Sequence, residues 1–199
     1  LFFFLAGFFI KCELSTKEFI IKDFKRLMFP YFIFTAIALI LETIKRMVLD
    51  RERLDYLYEL QGIFIWMDYS SLMNTYAFVL WFLPSLFFSR LIIYTLNKYI
   101  LSDLIKSIVV LFLFFLSFYF NIFFGIDNAF NAIIFVFLGF IFYRFYQNDK
   151  RLYIMPVVLL VIVIYFGIPN LDIAIKSYEN ILVNILYAVS IIYLLVFLV

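Results

Sequence analysis

Between Ile108 and Phe120 the chain is apolar on every side of a helical projection, with Ser117 the one polar interruption. A strand of a membrane barrel would alternate apolar and polar residues at every second position, and no such alternation runs here. In a bilayer core only helices and closed barrels satisfy every backbone group, and a spanning helix needs about 20 mainly apolar residues. Six stretches answer that description, at Phe29 to Ile44, Tyr76 to Asn97, Leu104 to Gly125, Ala129 to Phe145, Leu152 to Gly167 and Ile181 to Val199. The stretches at 29–44 and 152–167 are short, so flanking aromatic residues must help cover the interface. Ahead of them Leu1 to Ile10 is an apolar run that starts without a polar flank, and it reads as the tail of a longer helix. The predicted fold is all-α: one domain over 1–199, a polytopic transmembrane helical bundle of about six full spans plus one truncated N-terminal span.

The polar positions predict two helices outside the bilayer. Ser15 and Glu18 have capping-box spacing, and Ile20, Phe24, Leu27 and Met28 recur at helical spacing opposite Lys17, Lys22 and Lys25. That pattern predicts a helix lying in the membrane interface. Lys45 to Gln61 keeps a helical apolar pattern at Met47, Val48, Leu54 and Leu57, with Arg46/Asp50 and Arg51/Asp55 as i,i+4 pairs. The helix from Phe29 is therefore expected to run on out of the membrane.

Composition agrees, with 67% hydrophobic and 15% charged residues, against about 45–50% and 25% in soluble domains. The net charge of +2 is too small and too scattered for a nucleic-acid partner. Its distribution sets an orientation, because cytoplasmic loops carry the excess of Lys and Arg. One side holds Lys11, Lys17, Lys22, Lys25, Arg26, Lys98, Lys106, Arg144, Lys150 and Arg151, and the other holds Lys45, Arg46, Arg51, Arg53 and Lys176. The first, richer side is read as cytoplasmic. There is no histidine and one cysteine, Cys12, so an internal disulfide, a Cys/His metal site and a histidine-based triad are excluded within this sequence.

Ionisable groups inside spans are costly and are functional candidates by default. Arg90 reads either as a snorkelling anchor or as a substrate-binding cation inside the membrane. Glu42 reads as solvated or paired with Lys45, and Asp127 as a cap on the helix that follows or as one wall of a polar cavity. Lys22, Lys25 and Arg26 form the densest basic cluster, suited to anionic lipid headgroups or to the phosphates of a cytoplasmic donor.

Several blocks taken together resemble the acyltransferase 3 family of polytopic membrane O-acyltransferases, in particular its fucose 4-O-acetylase-like branch. Leu1-Phe-Phe-Phe-Leu-Ala-Gly-Phe-Phe-Ile-Lys11 is similar to the family's aromatic run, with Ala6 where Ser is usual. Phe19, Lys22, Lys25-Arg26-Leu27 and Pro30-Tyr31 resemble its basic stretch and Pro-Tyr. Trp81-Phe82-Leu83-Pro84 is similar to its helix start, and Asp127 with Ala129, then Phe135 to Gly139-Phe140, to its Asp-x-Ala segment and Phe-rich run. The resemblance implies transfer of an acetyl or other acyl group from a cytoplasmic acyl-CoA, with acetyl-CoA the expected donor, to a sugar hydroxyl of an envelope or exported polysaccharide. It implies a multi-pass protein of the bacterial cytoplasmic membrane in contact with lipids, with no resident cofactor or metal. Lys22, Lys25 and Arg26 are expected to hold the donor phosphates, and Trp81, Asp127 and Asn128 to line the acceptor cavity. The family's essential His belongs upstream of Leu1, so no catalytic residue is expected in this chain, which reads as a fragment lacking the first and last spans and inactive alone. The rival readings are a transporter or channel subunit with Arg90 and Asp127 in its path, and a structural membrane subunit.

Overall fold

In the computed structural model, residues 2–148, 161, 164–165 and 170–198 are described. The first helix, α1 (Phe2–Phe8), ends in a turn where the Ile10 N–H donates to Gly7 O at 3.2 Å. Helix α2 (Thr16–Asp23) starts at the capping box read from sequence: Ser15 N donates to Glu18 Oε2 at 3.0 Å, and Glu18 N donates to Ser15 Oγ at 3.3 Å. It does not lie apart as an interfacial helix. A π-helical stretch, Phe24–Met28, carries it directly into α3 (Phe29–Val48), giving one helix of 33 residues from Thr16 to Val48. The cause is Pro30 in the first turn of α3. Proline offers no N–H and crowds the preceding turn, and the widened turn, with Phe29 N–H donating to Phe24 O, lets the helix continue through it.

The outward end of α3 also departs from the sequence expectation. Leu49 N donates to Lys45 O at 3.0 Å and Arg51 N to Arg46 O at 2.9 Å, while Asp50 takes φ 49°. This is a Schellman stop with a left-handed residue after the cap, so the helix ends at Val48. The i,i+4 pairs Arg46/Asp50 and Arg51/Asp55 do not form. Instead Arg46 Nε and Lys45 Nζ donate to the two oxygens of Glu42, at 3.0 and 3.1 Å, which realises the Lys45-paired reading of Glu42. Asp55 caps α4 (Tyr56–Gln61) by accepting from Leu57 N and Tyr58 N. A π-helical turn, Gly62–Trp66, and α5 (Tyr69–Leu72) follow.

A 3₁₀ turn, Tyr76–Trp81, leads into α6 (Phe82–Tyr99). Helix α7 (Asp103–Leu116) stops short of the expected span end at Gly125. Its 14 residues rise only about 21 Å, against roughly 30 Å of hydrocarbon. Phe124 at φ 64° and Gly125 at φ 63° then reverse the chain into α8 (Ile126–Asn148). A two-residue hairpin, β1 (Leu171–Asp172) with β2 (Ser177–Tyr178), pairs Leu171 with Tyr178 and precedes α9 (Ile181–Leu198).

Three described helices are long and apolar enough to cross a membrane, Thr16–Val48, Tyr76–Tyr99 and Phe123–Arg144. The expected six full spans go further than this, and the one at Leu152 to Gly167 falls almost wholly outside the described residues. Helix α8 is the axis of the bundle, with Ala129, Ala132, Ile133 and Val136 fully buried between α1, α6 and α7. Two glycines set how closely α1 approaches it. A Cβ on Gly7 would stand 1.9 Å from Val136 O, and one on Gly139 would stand 1.9 Å from Phe4 O. Small residues at a crossing let helix backbones touch, which is how helices associate where lipid is as apolar as they are.

Candidate functional site

Polar chemistry gathers at the two ends of this bundle. At the end that the charge count reads as cytoplasmic, Arg90 projects from α6 and is only 7% exposed. Its Nε donates to Asp23 Oδ2 at 2.6 Å and its Nη2 to Asp23 Oδ1 at 3.3 Å, and Nη1 donates to the Ala6 carbonyl. The guanidinium also stands 5.8 Å from the centre of the Phe19 ring. Arg90 therefore does not snorkel to the surface: one guanidinium ties α1, α2 and α6 together. The tie is extended by Phe19 stacked on Tyr94 at 4.2 Å and by the Tyr94 hydroxyl donating to Leu14 O at 2.7 Å.

Beside this pair lies a cavity of about 260 Å³ whose lining includes Lys11, Lys22, Arg26, Asp23 and Arg90. Lys22 and Arg26 fall on one helix face and share it, whereas Lys25 does not line it. Lys11 does, because the turn after α1 folds back over α2. With Arg90 matched by Asp23, the surplus charge is that of Lys11, Lys22 and Arg26, none of which makes an ion pair among the described residues. The neighbouring cations are engaged elsewhere. Lys106 and Arg144 both donate to Asp103, at 2.9 and 3.0 Å, and the Lys106 hydrogen bond holds the Asp103 carboxyl below its ordinary range.

At the opposite end the first turn of α8 carries Asp127 and Asn128, both buried. Asp127 accepts from Lys176 Nζ, delivered by the hairpin loop. Its carboxylate also stands where the positive end of the α8 dipole favours it, but Asp127 lies inside the first turn and accepts no backbone N–H among the described hydrogen bonds, so it is a wall of the cavity and not the helix cap. The cavity in front of it, about 340 Å³, is lined by Asp68, Ser70, Asn121, Asp127, Asn128 and Lys176 among others. One turn deeper, Asn131 takes a hydrogen bond from the Tyr178 hydroxyl at 2.6 Å and donates to Ser117 Oγ at 3.2 Å. Burial pushes the Tyr178 hydroxyl well above the usual phenol range, so it remains a donor at any physiological pH.

Trp81 stands apart from this cavity, its ring 6.2 Å from that of Phe3 in the core. Asp68, Asn121 and Lys176 enter the cavity from loops distant in sequence. Only Lys176, as a basic residue on the outer side, carried a signal legible without the fold. Between Asp127 and Gly139, the level at which α1 packs, α8 climbs about 18 Å.

A helical protein built to sit in a membrane, cationic in a cavity at one end and polar in a cavity at the other, is the class these features define. Residues 1–199 match the family described as an acyltransferase domain, and the chain belongs to that family, acyltransferase 3. Neither the curated proteins nor the solved structures provide a match.

Proposed function

We propose that the protein serves a membrane-embedded O-acyltransferase that takes an acyl group, acetyl in the first instance, from acyl-CoA and places it on a sugar hydroxyl of an envelope or exported polysaccharide. The observation that carries this reading is the pair of cavities at opposite ends of one packed bundle. At the cytoplasmic end Lys22 and Arg26, joined by Lys11, receive the phosphates of CoA, with the Arg26 guanidinium offering a fork matched to phosphate oxygens. At the outer end Asp127 and Asn128 exchange hydrogen bonds with sugar hydroxyls, and Lys176 fixes the position of the Asp127 carboxylate. Lys25 lies outside the donor cavity and Trp81 outside the acceptor cavity, so neither is given those roles.

The chemistry is displacement at the thioester carbonyl. The sugar oxygen bonds to the carbonyl carbon, the C–S bond breaks, and the CoA thiolate leaves and takes up a proton. A base must receive the hydroxyl proton, and such help is typically worth about 10² to 10⁴ in rate. The 199 residues hold no histidine to supply it. The buried Asp23–Arg90 pair positions the donor cavity without touching the reacting atoms. No observation favours the transporter reading.

The test is acetyl-CoA affinity of the protein in nanodiscs. Arg26→Gln removes a charge-assisted contact of about 1.5–3 kcal/mol, so its affinity is expected to fall about tenfold or more, while Lys25→Gln, off the cavity, stays within about twofold. Equal losses in the two variants would return the cluster to general attraction for anionic lipid.

A further inference from the structure

The outer end holds a second charged cavity that the acyl-transfer reading does not use. It measures about 200 Å³ and is lined by Thr43, Arg46, Asp50, Arg51, Arg53 and Tyr56 among others. Three arginines therefore line one small space on the side where the charge count finds few cations. Their concentration there follows from the Schellman stop. Asp50 in the left-handed region turns the chain back on itself, with Arg51 N on Arg46 O at 2.9 Å, so Arg51 and Arg53 return beside the last turn of α3.

The three are not equivalent. Arg46 is already committed, with Nε on Glu42 and Nη1 donating to Glu52 O at 3.2 Å. Arg51 and Arg53 make no ion pair among the described residues, and Asp50 is the one carboxylate in the lining. Arg51 and Arg53 against Asp50 leave one positive charge, beside Arg46, which shares Glu42 with Lys45, and it is presented by planar forks whose geometry matches two oxygens of a single oxyanion. Apolar side chains adjoin it: Met47 lines the cavity, and its chain neighbours Val48 and Leu49 are exposed by 76 and 53%. Met47 and Val48 close a helix long and apolar enough to cross a membrane, the level where headgroups meet hydrocarbon.

We propose that the Arg46–Arg51–Arg53 cavity is a binding site for a phosphodiester monoanion at the outer face, with Arg51 and Arg53 taking the two non-bridging oxygens and Arg46 as a fixed wall. One excess positive charge matches one diester charge, and the volume admits the phosphate with its first carbons. The same chemistry is offered by a phospholipid headgroup and by a soluble glycerol-phosphodiester.

Native mass spectrometry of the purified protein with phosphatidylglycerol tests the site and glycerophosphoglycerol as competitor separates the sources. Near a membrane surface each basic residue is worth about 1 kcal/mol toward anionic lipid, so the double variant Arg51→Gln/Arg53→Gln is expected to retain roughly thirtyfold less phosphatidylglycerol than the parent. Lys25→Gln, exposed at the other end, is expected to lose no more than about fivefold, the general headgroup attraction of one basic residue. Arg51→Lys/Arg53→Lys keeps the charge and loses the fork, and an intermediate retention with unchanged helicity by circular dichroism shows that the loss is not misfolding. Displacement of the lipid by glycerophosphoglycerol assigns the site to the soluble diester, and failure of displacement assigns it to the headgroup. Equal retention by the parent and the double glutamine variant, or an equal loss in Lys25→Gln, overturns the proposal.

Discussion

Two buried carboxylates in this chain meet opposite fates, and the difference is whether a cation faces them. Asp23 is 3% exposed and has both oxygens on the Arg90 guanidinium. Removing one member of such a pair leaves a buried charge alone and typically costs about 3–5 kcal/mol. Asp23→Asn should therefore lower the thermal midpoint in detergent steeply, and Asp23→Asn/Arg90→Gln should recover part of the loss. Arg144→Gln is the contrast, because its partner Asp103 is itself half-exposed and such pairs are worth about 0–1 kcal/mol. Similar losses for Asp23→Asn and Arg144→Gln would refute the ranking. Glu59, 2% exposed, has a hydrogen bond from Asn74 at 3.2 Å on one oxygen and none on Oε2. Burial raises its pKa above the ordinary 4.5. The folded state thus favours the neutral acid, and the stability Glu59 contributes at low pH is lost as pH rises through that raised value. Glu59→Gln should leave the melting temperature at pH 4 nearly unchanged and raise it at pH 8, and no difference between the two pH values would refute the assignment. Arg90 was legible from sequence as an intramembrane charge. Its partner was not, since Asp23 lies 67 positions away in a segment whose lysines made it look interfacial.

Among the elements, those specified by local chemistry were readable and those specified by distant packing were not. The apolar runs located α3, α6 and α8, and Ser15 with Glu18 located the start of α2. The join between α2 and α3 was hidden because charged Lys22, Lys25 and Arg26 suggested a surface helix, while Phe19 and Asp23 on the same segment face α6. The early end of α3 turns on Asp50 in the left-handed region, where asparagine or glycine would have been the clearer sign. At Phe124 the positive φ falls on a bulky aromatic residue, which no local preference forecasts. The α1–α8 crossing is the element contact most sensitive to a single methyl group. Because the obstructing atoms at Gly7 and Gly139 are backbone carbonyls, no rotamer change can clear them, and the helices must separate. Overpacking of a tight core costs typically about 1–3 kcal/mol, and a forced backbone shift along a whole crossing belongs at or above the top of that range. Gly139→Ala should lower the thermal midpoint more than Ala36→Ser, at an exposed position of α3. Comparable midpoints would mean that the crossing is looser than 1.9 Å implies.

The molecule as a whole is organised by its two ends, and the proposed reaction depends on their facing opposite compartments. Lys11, Lys22, Arg26, Lys98 and Arg144 collect at one end, with Lys98 of α6 donating to Thr16 Oγ1 at the start of α2 at 2.8 Å. Arg46, Arg51, Arg53 and Lys176 collect at the other. The fold thus gathers the two groups that the loop count had separated, and the excess of Lys and Arg is the ground for expecting the first on the cytoplasmic side. Cys12, the single cysteine, lies in that α1–α2 turn and is exposed, so the native chain carries its own reporter. Packing around its sulfur raises the thiol pKa above the ordinary 9.0. The thiolate is the reactive form, so labelling is slow near neutral pH and accelerates as pH climbs toward that raised value. A membrane-impermeant maleimide at a fixed pH of about 8.5 should label Cys12 in inverted vesicles and leave it untouched in intact cells. In a Cys12→Ser background, Met73→Cys, which replaces an exposed residue of the outer loop, should show the reverse. Equal labelling of position 12 from both sides would refute the assigned orientation. Labelling of position 12 in intact cells alone would invert it, and the arginine-lined cavity would then face the cytoplasm with the acyl-CoA site left on the outside, where no such donor is expected.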